Sequence, residues 1–179
     1  MSDKEDAFTG ARDAFIAEWG AMGSSWGINR TMAQVHALLF TSEDPLSTDE
    51  VMAELRISRG NANTTLRELV GWGLARSVIR KGERKEYFEA EKDVWRMFCI
   101  IARERKRREA DPAVETLQRC LNAVSGHRSA QAATFRSQLE SVLELMQLGG
   151  RVLERITSGE RDRMMKLALK VLGAGGNRP

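Results

Sequence analysis

The chain has 179 residues, with 28 Lys+Arg, 25 Asp+Glu, two Cys, two His and three Pro, and 42% of it is apolar, enough for one domain with its own core plus an oligomerisation element. No stretch reaches the roughly 20 apolar residues of a membrane span, and Met1-Ser2-Asp3-Lys4-Glu5-Asp6 has no signal-peptide pattern. Residues 1–54 hold 3 basic and 10 acidic groups, residues 55–110 hold 15 and 8, and residues 111–179 hold 10 and 7, so a basic middle follows an acidic N-terminal third.

In chain order, residues 4–25 read as an amphipathic helix, with Phe8, Phe15, Trp19, Met22 and Trp26 on one face. Gly27 stops it, and a second helix is predicted from about Thr31 to Phe40. Ser42-Glu43-Asp44-Pro45-Leu46 reads as a turn, and Ser47-Thr48-Asp49-Glu50 as a capping box that opens a short helix with Val51, Met52 and Leu55 inward. After a brief connection at Arg56-Ile57, Ser58 caps another helix running to about Trp72. Beyond Gly73 the period changes: 74–80 and 85–90 are β-prone runs around the charged tip Lys81-Gly82-Glu83-Arg84.

From Glu91 the chain is helical again and ends in the basic run Arg103–Arg108, after which Asp111-Pro112 opens a new helix. In the C-terminal third, Phe135, Leu139, Val142, Met146, Gly149, Leu153 and Ile156 alternate spacings of four and three. Leu143, Leu145, Leu148 and Val152 widen that seam. Such an apolar face suits self-association, and equally a bundle with the neighbouring helices. A last helix is expected from about Ser158 to Leu172, then a Gly-rich tail.

Helix, capped short helix, tight connection, capped helix and β-hairpin, in that order, make a winged helix-turn-helix. The fold expected is mainly α: one hairpin wing, plus N- and C-terminal helices forming a dimerisation bundle. Its parts are an N-terminal helix at 1–27, a DNA-binding module at 28–92, a helical dimerisation region at 93–173 and a flexible tail at 174–179.

The candidate recognition helix begins at Ser58. Ala62, Leu66 and Leu69 fall on its core face, while Arg59, Asn63 and Arg67 share the opposite face with Gly60 and Thr64. Arg, Asn and short polar groups are what base edges in a major groove require, and the helix N-terminal amides suit a phosphate oxygen. Arg59, Asn61, Asn63, Thr64 and Arg67 are therefore the candidate readers, and Arg80, Lys81, Arg84 and Lys85 the candidate wing contacts. Arg56 and the Arg103–Arg108 run are further candidates for phosphate. The same polar helix face and charged hairpin also suit an ordinary solvated surface.

These residues resemble the MarR superfamily, most closely its GbsR-like branch. The match runs through Trp26-Gly27-Ile28-Asn29-Arg30, Pro45–Glu50, Ile57-Ser58-Arg59-Gly60-Asn61, Leu66-Arg67-Glu68-Leu69, Trp72-Gly73-Leu74, Lys81–Phe88 and Arg103–Arg108, about 80 residues. The resemblance implies a cytoplasmic homodimeric transcription regulator, commonly a repressor until a small ligand binds. Beyond Asp111 the likeness is one of character only. The branch's link to choline and betaine makes Trp19, Trp26, Trp72 and Trp95 a candidate effector pocket with aromatic faces for a cation; packing is their ordinary alternative.

HTH dimers align with successive turns of DNA, so a small basic module gains specificity by pairing. Phe135, Leu139, Val142, Met146, Leu153 and Ile156 are the candidate dimerisation residues. Cys99 and Cys120 are too few for a disulfide scaffold and lack metal-ligand spacing, and His36 and His127 stand far apart. No phosphate loop, metalloprotease motif or local triad is present, so no catalytic residue, metal or cofactor is expected. The partners expected are double-stranded DNA, a second copy and a small-molecule effector, with no membrane. Two other classes fit the same residues: a protein-interaction module on a winged-helix scaffold, and a ligand-binding or enzymatic protein using the space between helices.

Overall fold

The computed structural model describes residues 2–159, and the chain divides into one unit ending at Met97 and another beginning at Phe98. The expected helix over 158–172 and the tail at 174–179 lie outside the described residues, apart from Ser158 and Gly159.

The first unit is built from α1 (Ser2–Ser25), α2 (Arg30–Thr41), β1 (Leu46–Ser47), α3 (Thr48–Leu55), α4 (Arg59–Trp72), β2 (Ala75–Ile79) and β3 (Glu86–Ala90). Its core lies where α2, α3 and α4 meet. Val35, Leu38, Leu39, Val51, Leu66 and Leu69 are all but sealed from solvent, as the apolar periodicity of those helices dictates. Local chemistry sets the helix ends. Asn29, not read as a cap from the sequence, accepts from the Met32 amide at 3.2 Å and starts α2 one residue early. Gly73, at φ 80°, ends α4, and the Leu74 amide reaches back to Leu69 O at 2.9 Å, so Trp72-Gly73-Leu74 is a left-handed stop with Leu74 folded inward.

Three strands, not two, make the sheet. They run antiparallel in the order β1-β3-β2, with Ser47 opposite Tyr87 and Ser77 opposite Phe88. The sequence shows only the hairpin, because a two-residue strand has no period to detect. Lys92, just past β3, donates to the carbonyls of Leu39, Phe40 and Ser42 at 2.7–2.8 Å and so closes the C-terminus of α2.

The buried face of α1 differs from the aromatic stripe. Phe8 and Trp26 are 67% and 55% exposed, whereas Ile16, Gly20 and Gly23 are buried. A methyl at Gly23 would stand 2.6 Å from Ala33 Cβ, and one at Gly20 would stand 2.5 Å from Gln34 Cγ. Small residues therefore let α1 approach α2 more closely than the large rings would. Of the stripe's rings, Trp19 reaches α2: it stacks on His36, which stacks on Phe40, while Phe15 lies against Trp19. His36 is 3% exposed and its Nε2 has no hydrogen-bond partner among the described residues. Burial, with the charge of Lys92 adding, pushes its imidazole down to about 4.

The second unit takes up the later part of α5 (Val94–Arg105) and continues through a π turn (Lys106–Ala110), α6 (Asp111–Ala123) and α7 (Ala130–Ser158). Asp111-Pro112 does not follow a break as expected: Ala110 is helical and the Asp111 amide bonds to Lys106 O. The widened turn carries the chain through Pro112, whose ring would collide with the preceding turn of a regular helix. Ser129 caps α7, and α7 packs on α6, with Lys106 bridging Asp111 at 2.8 Å and Glu154 at 3.1 Å.

Gly23→Ala is expected to destabilise the protein by roughly 1–3 kcal/mol, because neither backbone-anchored methyl can yield. Gly10, with nothing within 4 Å of a Cβ, gives the opposite sign: Gly10→Ala stabilises by roughly 0.5–1 kcal/mol through helix propensity. Urea unfolding of both variants checks this, and two shifts of the same sign would contradict the close α1–α2 approach. For His36 the folded imidazole titrates below the unfolded one, so its contribution is complete above pH 6.5 and is lost as pH falls toward about 4. The loss is roughly 3 kcal/mol across that window. In His36→Phe that slope should vanish, and a variant as pH-sensitive as wild type would refute the assignment.

Candidate nucleic-acid interface

The N-terminus of α4 is fixed by Ser58, whose hydroxyl accepts from the Asn61 amide at 3.3 Å. From that start, Ala62, Thr65, Leu66 and Leu69 turn inward and Arg59, Gly60, Asn61, Thr64 and Arg67 stay exposed. On α4, Thr65 is the core position that apolar periodicity does not mark; its hydroxyl donates to Asn61 Oδ1 at 3.3 Å, which satisfies it while buried. Asn63 is half-buried, and its Oδ1 accepts from Thr48 Oγ1 at 3.4 Å, tying α4 to α3. The turn before α4 is tight because Arg56 takes the left-handed conformation, φ 52°, at the end of α3.

The wing loop of residues 80–85 turns at Gly82, φ 89°, and exposes Lys81, Arg84 and Lys85. Arg80 is placed differently from its three neighbours. Its guanidinium lies 4.3 Å over the Tyr87 ring, donates to Pro45 O at 3.3 Å and faces Asp44 at 3.9 Å, so it braces the base of the wing. Tyr87 donates to Glu83 across the same loop, and this bond raises the Tyr87 phenol above its ordinary value. Ile79, 82% exposed at the end of β2, was not singled out by sequence; strict alternation with Val78 was its only signal.

Asp49, in sequence only a member of the Ser47–Glu50 capping stretch, has a second role. Its carboxylate accepts from Arg59 Nη2 at 2.5 Å and from Lys85 Nζ at 3.3 Å, joining the recognition helix to the wing. The Lys85 bond first, and then Arg59, hold its carboxyl below the usual range. Glu50 is held low likewise by the hydroxyl and amide of Ser47, at 2.6 and 2.7 Å.

The Arg103–Arg108 run is largely engaged within its own unit. Arg107 and Arg108 pair with Glu104 at 2.6 Å, Arg105 with Glu109 at 3.0 Å, and Arg103 Nε donates to Cys99 O at 3.1 Å. Of the candidate dimerisation residues, Leu139, Met146, Leu153 and Ile156 are half-buried, while Phe135 and Val142 are 42% and 47% exposed. Leu145, Leu148 and Val152 extend that exposed face and Leu143 is buried, so the broad seam divides into an inner and an outer stripe. Of the four tryptophans, Trp19 lies in the ring stack, Trp26 is exposed, and Trp72 and Trp95 are half-buried.

No protein-family model matches the chain. It is similar to three HTH-type transcriptional regulators of Bacillus subtilis: the repressor GbsR, 23% identical over 169 residues, covering 89% of this chain and 93% of that one; YvaV, 25% identical over 91 residues, 51% of each chain; and the repressor OpcR, 23% identical over 77 residues, 43% of this chain and 42% of that one. The chain thus spans about half or less of two of these relatives and nearly all of the third. Among solved structures, one described as a transcriptional regulator superposes with a TM-score of 0.65 at 16% identity, covering 83% of this chain and 96% of that chain.

Proposed function

We propose that the chain is a sequence-specific DNA-binding transcriptional regulator that acts as a homodimer and reads double-stranded DNA with the module at 28–92. The observation that carries this reading is an exposed polar set, Arg59, Asn61, Thr64 and Arg67 on α4 and Lys81, Arg84 and Lys85 on the wing, with Asp49 joining Arg59 of the one to Lys85 of the other. Arg67 and its neighbours, with Asn63 behind them, supply the forks and short donors that base edges take. The first amides of α4, at Arg59 and Gly60, face an anion favourably. Lys81 and Arg84 follow the backbone, Lys85 stands beside them on Asp49, and Arg80 keeps the wing in place. The named activities of GbsR, YvaV and OpcR support the same reading.

Homodimerisation rests on the outer stripe of α7, where Phe135, Val142, Leu145, Leu148 and Val152 stand exposed on one helix. Repression relieved by a small ligand, and a place for that ligand near Trp19, Trp26, Trp72 and Trp95, belong to this proposal through the resemblance to the GbsR-like branch.

A duplex enriched by the full chain from a random DNA library, set against a scrambled duplex, tests the reading. Arg67→Ala should weaken the enriched duplex by roughly 1–3 kcal/mol and relax preference at one base position. Lys81→Ala should weaken both duplexes alike and reduce the salt slope by about one. Failure of the wild type to enrich any sequence, with a flat response to salt, would favour a protein-interaction module instead.

A further inference from the structure

Resting on that reading of α4 and the wing, we propose that Asp49 is a specificity-determining residue: it withholds Arg59 and Lys85 from indiscriminate phosphate contact and aims the Arg59 guanidinium at a base edge. Asp49 is the second residue of α3 and shares an element with neither cation. Its Oδ1 meets Arg59 Nη2 at 2.5 Å and its Oδ2 meets Lys85 Nζ at 3.3 Å, so one carboxylate spans the first turn of α4 and the residue before β3.

Two consequences follow from the chemistry of that contact. A carboxylate offers Arg and Lys the same charge-assisted hydrogen bonds as a phosphate oxygen. A phosphate that takes either cation, whether it displaces Asp49 or shares the remaining N–H donors, sets its own negative charge beside the Asp49 carboxylate. That disadvantage applies to every sequence and reduces the counterion release on which sequence-blind binding depends.

A base contact behaves differently. Guanidinium carries five N–H donors in one rigid plane. Asp49 engages Nη2 and restricts the plane's rotation, leaving the other donors pre-oriented for the O6 and N7 acceptors of a guanine. Base readout by Arg59 therefore keeps the Asp49 contact at no charge cost, because a base edge is neutral, whereas phosphate capture crowds two anions onto one cation. Arg59 and Asp49 side chains are 64% and 46% exposed. Pairs so exposed are individually weak, so the effect is a change of several-fold in preference, not a switch.

Asp49→Asn keeps the shape and removes the charge. The full chain and this variant are measured on a wild-type-enriched duplex and on its scrambled counterpart across a range of salt. The variant should bind the scrambled duplex roughly three- to tenfold more tightly, with a salt slope steeper by about one. Affinity for the enriched duplex should stay level or fall, lowering the ratio between the two by at least roughly three- to tenfold. Asp49→Glu, which keeps the charge, should restore part of that ratio. A purely structural Asp49 would instead lower the melting temperature and weaken both duplexes together, and that result would overturn the proposal. So would an Asp49→Asn ratio and salt slope equal to those of a discriminating wild type, with the regulator reading left standing. A wild type that discriminates between no sequences would remove both.

Discussion

Everything in the first unit turns on Ser47, where a strand ends and a helix begins. It pairs with Tyr87 in the sheet, and its amide and hydroxyl both donate to Glu50 while its oxygen accepts from the Glu50 amide at 3.3 Å. The capping box thus does more than start α3. It fixes the direction of α3 relative to β3, and with it the wing. Arg80 reinforces the same corner from the far side, through Pro45 O and the Tyr87 ring. Because α3 packs on α4 around Val51, Leu66 and Leu69, the orientation of the candidate reading face follows from this one junction.

The basic middle of the chain overstates the charge available to a polyanion. Arg76 is paired with Glu89, Arg96 with Glu91, and the run after Arg103 with Glu104, Glu109 and Asp111. Among the described residues of the candidate surface, Arg67, Lys81 and Arg84 stand without an ion pair, while Arg59 and Lys85 share Asp49. Positive charge is concentrated by cancellation elsewhere as much as by the number of basic residues. A surface arranged in this way favours a narrow contact over general adhesion.

What was legible in the sequence is what depends on neighbours a few residues apart. The Ser47–Glu50 box, the Ser58 cap, the Gly73 stop and the inward set Ala62, Leu66 and Leu69 are all rules of one helix turn, and each was readable. The sequence failed where the deciding partner lies far along the chain. The aromatic stripe of α1 gave way to Gly20 and Gly23 because α2 comes close, and β1 exists only because Phe88 and Tyr87 lie beside it. The same reason hid Asp49, whose partners are 10 and 36 residues away. On α7 the four-and-three spacing marks an apolar face, but heptad arithmetic does not separate the stripe packed toward α6 from the stripe left exposed.

Hydroxyl-radical footprinting of the full chain on its enriched duplex, paired with guanine-N7 methylation interference, addresses the central claim most directly. Two protected patches on one face of the DNA are expected, about one helical turn apart, with methylated guanines inside them blocking binding. Protection spread evenly along the duplex, or binding indifferent to methylated guanines, would contradict major-groove reading by a pair of α4 helices.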